Sequence, residues 1–490
     1  MTMLLLLLRR RLLALAAAGL ILPGALAQPV STGVDAMPRH VMLFISDGAS
    51  WGTWHMASYH EHGELGRQPY DRFDVKLGVT TTPLNTSRKP THDARPKVSY
   101  DPARAWDTRP QPPGPGSDGF AGYAYLKRDA TDSAAAGTAL SAGAKTYNNA
   151  INVDNDGRPL PFVTQHFKAM GWATGVVTSV PLSHATPAAF GSQSPSRDDY
   201  ASISEQMIGQ PWIDVLMGTG HPFFDGNGRP RPDADHRYIS EKAWRMATAP
   251  DAARQLIQTR EAFEALADGS LRPDRPVLGV PQVHVTLQAA REAAVVGADA
   301  SRASGTAWLP GVPSLKTMTQ GALQVLGRHP RGFFLMVEGG AVDWMAHAND
   351  TGRIIEEQVD FNHAVRAAVD WVERHSHWGE SLIIVLTDHG NGMPMGPDSD
   401  TVPFEPVLNR GRGVLPGVRW HHKNHTNEVT LLWAHGAGAQ RLFDHVEGVD
   451  PALVSRLQHN RDGRYLTNAG VARVLWSLRP GAGGVAHSSR

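Results

Sequence analysis

The residues with the clearest chemical potential stand at the ends of apolar runs. Val41-Met42-Leu43-Phe44-Ile45-Ser46 leads into Asp47-Gly48. Phe333–Val337 leads into Glu338-Gly339-Gly340, and Leu382–Thr387 into Asp388-His389-Gly390. Short apolar runs bounded in this way read as buried strands. In an open α/β sheet, ligands bind outside the carboxyl ends of the strands, so these ends would gather acids on one edge. Carboxylates held together repel, and divalent cations between them relieve the repulsion. One acid at a strand end serves as well for a turn or a helix cap. Three of them, each followed by Gly or His-Gly, point to metals.

Two further segments add ligands and a nucleophile. Asp343 and His347 are four apart, so on a helix they share a face and can bind one Zn²⁺. His421-His422-Lys423-Asn424-His425 offers a third ligand, or forms a solvated polar loop; composition does not choose among its histidines. In Asp132-Ser133-Ala134-Ala135-Ala136-Gly137-Thr138-Ala139, a Ser opens a helix of small residues. Its hydroxyl would lie near unpaired backbone N–H groups and the positive end of the helix dipole. That environment suits an oxygen nucleophile attacking phosphorus, and equally a plain N-cap on a tightly packed helix.

The elements that must hold these groups alternate from Val41 to about Leu478, which argues α/β. Strands are expected at Val41–Ser46, Trp172–Thr178, Phe333–Val337, Leu382–Thr387 and Val429–Ala434. The spacing of Ile355, Val359, Val365, Ala368, Val369 and Val372 predicts a helix over Arg353–His375, and a last helix is expected at Ala469–Leu478. Two stretches read as insertions. Residues 61–118 are rich in Pro and polar residues and suit a long surface excursion. Residues 209–311 mix turn signals with helical patterns at Asp251–Ala267 and Leu287–Val296, and suit either a cap or a peripheral subdomain. Residues 479–490 read as a loose tail.

Residues 1–27 contain no acid. Arg9, Arg10 and Arg11 precede the apolar run Leu12–Leu22, and Ala25-Leu26-Ala27 closes it, which is a signal-peptide pattern with cleavage expected after Ala27. The run is short for a membrane anchor and is broken by Pro23 and Gly24. The Arg-Arg-Arg-Leu-Leu stretch admits either the general or the twin-arginine export route. A periplasmic or secreted protein without a stable membrane anchor is expected. With 47 Lys+Arg against 47 Asp+Glu, the 490-residue chain has no net charge, and loss of the leader arginines leaves −3. Nucleic-acid binding therefore lacks its electrostatic basis. The absence of Cys excludes disulfides, thiolate metal sites and a Cys nucleophile.

From about Val41 to His435 the motifs, taken in order, resemble those of the alkaline phosphatases. Asp132-Ser133-Ala134-Ala135 looks like that family's nucleophile motif. Asp47-Gly48, His184-Ala185-Thr186-Pro187, Val337-Glu338-Gly339-Gly340, Asp343 with His347, Asp388-His389 and His425-Thr426 look like its metal-ligand motifs. Arg197, 13 positions after His184, stands where the family carries its phosphate-clamping arginine.

The resemblance implies a central, mostly parallel β-sheet flanked by helices on both faces, in one large domain over residues 28–478. It implies three metal sites. Asp343, His347 and His425 would hold one Zn²⁺, and Asp47, Asp388 and His389 a second beside Ser133. Asp47, Thr186 and Glu338 would hold a third cation, usually Mg²⁺. Imidazole-rich sites suit Zn²⁺ and oxygen-only sites suit Mg²⁺. The implied activity is hydrolysis of phosphate monoesters through a phosphoseryl intermediate, with Arg197 forked onto phosphate and Asp132 orienting it. Inorganic phosphate would inhibit as product, and the family habit is a homodimer.

Two positions depart from parts of the family. His184 stands where some members have Asp, so the third site could prefer Zn²⁺ or Co²⁺. Trp344 stands where others have Lys or His, which implies weaker product binding. The short interval from Asp388-His389 to His425 leaves no room for the crown subdomain of animal members. A phosphodiesterase of the same superfamily, or an exported metal- or phosphate-binding protein without turnover, are the competing readings.

Overall fold

The computed structural model describes residues 37–112 and 119–479. The leader, the Pro-rich residues 113–118 and the tail from residue 480 lie outside the described residues. Eleven strands form the main sheet. They are β1 His40–Ile45, β2 Val75–Thr80, β3 Ala173–Pro181, β4 Val215–Thr219, β5 Gln255–Ile257, β6 Val277–Gly279, β7 Phe333–Glu338, β8 Ser381–Leu386, β9 Thr430–Gly436, β10 Val446–Val449 and β11 Arg464–Thr467. Their spatial order is β10-β11-β2-β9-β8-β1-β7-β3-β4-β6-β5. The central block from β8 through β1, β7, β3, β4 and β6 to β5 is parallel throughout. β9 runs antiparallel to both β8 and β2.

Every residue of β1, β7 and β8 is buried. Covered parallel strands need apolar side chains on both faces, which explains their unbroken apolar runs. Met42 and Phe44 enter one core with Leu335, Val337, Ile383 and Val385. Val41, Leu43 and Ile45 enter the opposite core with Phe334, Met336, Leu382 and Ile384. On the first face lie helices α1 Trp51–His62, α4 Leu315–Leu326 and α6 Thr351–His375; on the second lie α2 Ser133–Ala142, α3 Ala185–Ala189 and α7 Asn468–Ser477. Asp350 caps α6 by accepting from the Arg353 N–H, and Ile354, Ile355, Phe361, Val365, Ala368 and Val372 bury its apolar face.

Two of the expected insertions carry strands of the sheet itself. Residues 61–118 contain β2, which pairs with β9 and β11. Lys76 and Gly78 interrupt its apolar run, so only the alternation Val75, Leu77, Val79 marks it in the sequence. Residues 209–311 contain β4, β5 and β6, which extend the sheet edge beyond β3, so this segment is mainly an outer wing of the fold. Within Asp251–Ala267 only the part from Arg260 is helical; Gln255–Ile257 is a strand. Within Leu287–Val296 only Ala293–Val296 makes a helical turn. Three-residue strands are too short to show a period. Among the described residues no helix is long and apolar enough to cross a membrane.

Candidate active site

Strand register brings the acids together. Ile45 of β1 lies abreast of Glu338 of β7 on one side and Leu386 of β8 on the other. Thr178 of β3 lies abreast of Glu338. Two residues beyond Ile45 and Leu386, the chain reaches Asp47 and Asp388 at the carboxyl edge of the sheet. Asp343 arrives from the next helix, α5 Ala341–Ala348, which starts after the Gly339-Gly340 turn. Gly48 is required there: it has φ +69°, and a Cβ on it would meet the Asp343 Oδ1 at 2.6 Å.

His425 comes from a distant part of the chain. A two-residue antiparallel ladder pairs His425 with Asn391 and Thr426 with Gly390, just after Asp388-His389. The His425 and His389 rings stack at 3.7 Å. This settles which histidine of the 421–425 segment joins the cluster: His421 turns instead to Ser399, at 2.7 Å.

The side chains form three overlapping groups, each with ligand atoms within 4.8 Å of one another: Asp343 with His347 and His425; Asp47 with Asp343 and His389; and Asp47 with His184 and Glu338. In the first, Asp343 lies 3.4 Å from both His347 Nε2 and His425 Nε2. In the second, His389 Nε2 lies 3.5 Å from Asp47 and 3.3 Å from Asp388. In the third, Thr186 Oγ1 approaches Asp47 Oδ2 at 3.5 Å. These side chains lie together at one sheet edge; Asp47 and Asp343 are each shared between two groups, and the Asp47–His389 group closes with Asp343, with Asp388 beside His389.

The residues present fit bound cations. Asp47 Oδ1, Glu338 Oε1 and Asp388 Oδ2 are buried oxygens without a hydrogen-bond partner among the described residues. Buried polar groups of this kind are normally satisfied, and a cation among them would do so. The histidines are also set for it. His347 Nδ1 faces the Lys423 carbonyl at 2.6 Å, and His425 Nδ1 faces the Thr131 carbonyl at 2.8 Å. Each Nδ1–H donates to a carbonyl, which leaves the Nε2 lone pair for a metal. Those two Nε2 atoms stand 3.2 Å apart, a spacing that a cation between them would satisfy.

The electrostatics say the same. Burial, then the charges of Asp388, Asp343 and Glu338, push Asp47 well above the usual carboxylate range. Burial, reinforced by the Asp388 charge, pushes Glu338 up to about 8. Burial and the Asp343 charge push Asp388 up to about 6. Burial alone would raise Asp343 too, but His425 and His347 outweigh it and hold Asp343 well below the ordinary range. Burial and then Arg197 drive His184 down to about 3, so it is a neutral imidazole at physiological pH.

Ser133 opens α2. Asp132 caps the helix, accepting from the Ala135 N–H at 2.9 Å. The small residues let α2 lie close to α3: a Cβ at Gly137 would come within 2.9 Å of the Ala189 Cβ. Ser133 thereby stands beside His389, with Oγ 3.1 Å from His389 Nε2. Arg197 reaches in from the other side, with Nη1 3.2 Å from Asp132 Oδ2 and Nη2 donating to His184 Nε2 at 3.3 Å. A cavity of about 360 Å³ opens between them, lined by Ser133, His184, Arg197, Asp343, Trp344, His347 and His425. Trp344 meets His184 edge-on, with ring centres 5.5 Å apart.

The profile described as Alkaline phosphatase matches residues 121–461. The chain belongs to the alkaline phosphatase family. It is 35% identical to alkaline phosphatase 3 of Bacillus subtilis (strain 168) over 273 residues, which is 54% of this chain and 50% of that protein. The match thus spans about half the length of that relative. It is 29% identical to streptomycin-6-phosphate phosphatase of Streptomyces griseus over 462 residues, covering 84% of this chain and 88% of that protein. Among solved structures, the cold-active alkaline phosphatase from a psychrophilic Shewanella superposes with a TM-score of 0.59 at 21% identity, over 90% of this chain and 100% of that chain. At that identity the likeness shows the shared fold.

In this alkaline phosphatase family member, two residues that no motif in its sequence announced hydrogen-bond the clustered acids. Thr178 donates its hydroxyl to Glu338 Oε2. Asn391 donates to Asp343 Oδ1 at 2.7 Å. Such outer partners orient metal ligands. A Thr closing an apolar run and an Asn in a turn are too common to signal this role by themselves. Only the strand register and the His425 ladder reveal it.

Proposed function

We propose that the chain hydrolyses phosphate monoesters, with Ser133 as nucleophile. The observation that carries this reading is one cavity holding the hydroxyl of Ser133, the guanidinium of Arg197 and the imidazoles of His347 and His425. Asp343, His347 and His425 would hold one Zn²⁺; Asp47, Asp388 and His389 a second; and Asp47, Thr186 and Glu338, with His184 in reach, a third cation, either Mg²⁺ or Zn²⁺ or Co²⁺. Bound there, the cations supply Lewis acidity that makes the hydroxyl a stronger nucleophile and steadies charge on the entering and leaving oxygens.

The chain's own groups do the positioning. Arg197 carries donors beyond those directed at Asp132 and His184, and these grip the non-bridging oxygens of a phosphate dianion. The helix N-terminus at Ser133 favours the same negative charge. Ser133 Oγ bonds to phosphorus as the bond to the leaving alcohol breaks. Water then cleaves the phosphoseryl bond. Two in-line inversions leave phosphorus with retained configuration. Inorganic phosphate fits the same groups and inhibits.

A diester offers the clamp fewer free oxygens, so the pairing of Ser133 with Arg197 favours monoesters over a phosphodiesterase. A binding protein without turnover would need the ligands but not Ser133. A relative named streptomycin-6-phosphate phosphatase supports the monoester reading. The leader pattern of residues 1–27 supports export to the periplasm or beyond, with 28–478 as the catalytic domain, and the family resemblance supports a homodimer. Turnover of p-nitrophenyl phosphate against bis-p-nitrophenyl phosphate tests the reading. The monoester should be the faster substrate, and activity should vanish with EDTA and return with Zn²⁺ and Mg²⁺. Faster diester turnover, or full activity after chelation, would overturn it.

A further inference from the structure

Asn149 touches both halves of the arginine clamp through its backbone, while its side chain ties the clamp's neighbour Ser196 to Arg88. Its backbone N–H donates to Asp132 Oδ2 at 2.9 Å, beside the Arg197 guanidinium on the same oxygen. Its backbone carbonyl accepts from the Arg197 N–H at 2.8 Å. Its side-chain Nδ2 donates to Ser196 Oγ at 3.1 Å, next to Arg197 in the chain. Its Oδ1 accepts from Arg88 Nη2 at 3.3 Å. Asn149 is buried and has φ +85°, a left-handed conformation that Asn tolerates better than any bulky side chain.

Arg88 belongs to the segment 61–118. The same Nη2 that bonds Asn149 donates to Asp198 Oδ2 at 2.9 Å, so one guanidinium joins the residue behind the clamp to the residue after it. The Arg88 loop is fastened to the same stretch of chain. Leu84 donates its N–H to the Thr146 carbonyl at 2.9 Å, and Asn148 donates to the Asn85 carbonyl at 3.3 Å. Asn148 in turn accepts from the Asp132 N–H at 3.0 Å, at the entry to the Ser133 helix. The segment thus reaches the nucleophile and the clamp through one pair of adjacent asparagines.

We infer that Asn149 is the positioning residue of the Arg197 clamp, and that Arg88 holds Asn149 from outside. The inference rests on the phosphomonoesterase reading and assigns part of the 61–118 segment a role in phosphate recognition. Neither residue touches the cavity. Both act by restricting where the Arg197 guanidinium stands, so that it meets a tetrahedral dianion without reorganising.

The test is a double-mutant cycle read by KM, kcat and the inhibition constant of inorganic phosphate. Arg88→Ala, and Asn149→Gly (which keeps the backbone bonds and the positive φ), should each raise KM and the phosphate inhibition constant together by about three- to tenfold. The kcat should stay within about twofold, and the melting temperature should hold. In an Arg197→Ala background, Arg88→Ala should add nothing, because the group it positions is gone. Unchanged KM and inhibition constants in both single variants, or an equal rise with and without Arg197, would overturn the inference. A wild type inactive on every monoester would instead end the functional reading beneath it.

Discussion

Ser133 Oγ lies 3.1 Å from His389 Nε2, although 256 positions separate the two residues in the chain. The contact places the hydroxyl of a helix N-terminus against a buried imidazole whose Nε2 also lies near the carboxylates of Asp47 and Asp388. Ser133→Ala should therefore cut kcat by about 10³-fold or more while phosphate still binds. Rapid acid quench of the wild type with substrate, followed by peptide mass spectrometry, should find phosphate on Ser133. A variant that keeps full turnover excludes covalent catalysis.

Metal uptake should release protons. Without cations, burial and the neighbouring carboxylates raise the pKa values of Asp47 and Glu338, that of Glu338 to about 8, so both groups bind protons more tightly than free carboxylates do. Cation binding displaces them, so metal affinity should rise with pH toward about 8. Between 4.5 and about 8, Glu338 is protonated in the folded chain and ionised in the unfolded one. The stability that Glu338 itself contributes to chelated protein should accordingly fall as pH rises through that window, and added Zn²⁺ should restore it. Melting curves of chelated wild type and Glu338→Gln across the window would show this; a difference between them that does not change with pH there would refute it.

Trp344 carries no charge, yet it lines the cavity and packs edge-on against His184. Trp344→Lys should place a cation near the phosphate position and tighten product inhibition by about three- to tenfold, with a shifted pH optimum. Phosphate inhibition of substrate turnover is the readout. No change would mean that the position does not tune product binding.

Thr178 steadies Glu338 through its hydroxyl. Thr178→Val keeps the shape and removes the bond. Loss of such an outer partner should weaken metal affinity at the Asp47, His184 and Glu338 group by about 10–100-fold. Elemental analysis after dialysis would read it, and full retention of three metals would count against it.

Arg291 and Glu356 form a buried ion pair that ties the 287–311 stretch to α6. Arg291 also donates to the carbonyls of Ala307, Gln288 and Thr306. Arg291→Ala would leave Glu356 buried without its partner and should destabilise the fold by about 3–5 kcal/mol. Urea unfolding would measure the loss; a change below about 1 kcal/mol would show that water replaces the pair.

The amino-acid sequence by itself marked the candidate chemical groups and the central strands. The acids that close apolar runs, Ser133 with its small-residue helix, and the Asp343–His347 spacing are local features. Burial on both faces writes β1, β7 and β8 as unbroken apolar runs. Local spacing did not show which residues meet; beyond what the resemblance implied, tertiary structure decided it. β5 and β6 are too short to carry a period, and β2 shows only the brief alternation Val75, Leu77, Val79, so it is pairing that reveals them as part of the sheet. The choice of His425 over His421 depends on a two-residue ladder to Gly390–Asn391. Thr178 on Glu338, and Arg88 on Asn149, follow from strand register and loop docking. Contacts between residues far apart in the chain leave no mark on local spacing, because only the folded backbone sets the distance between them.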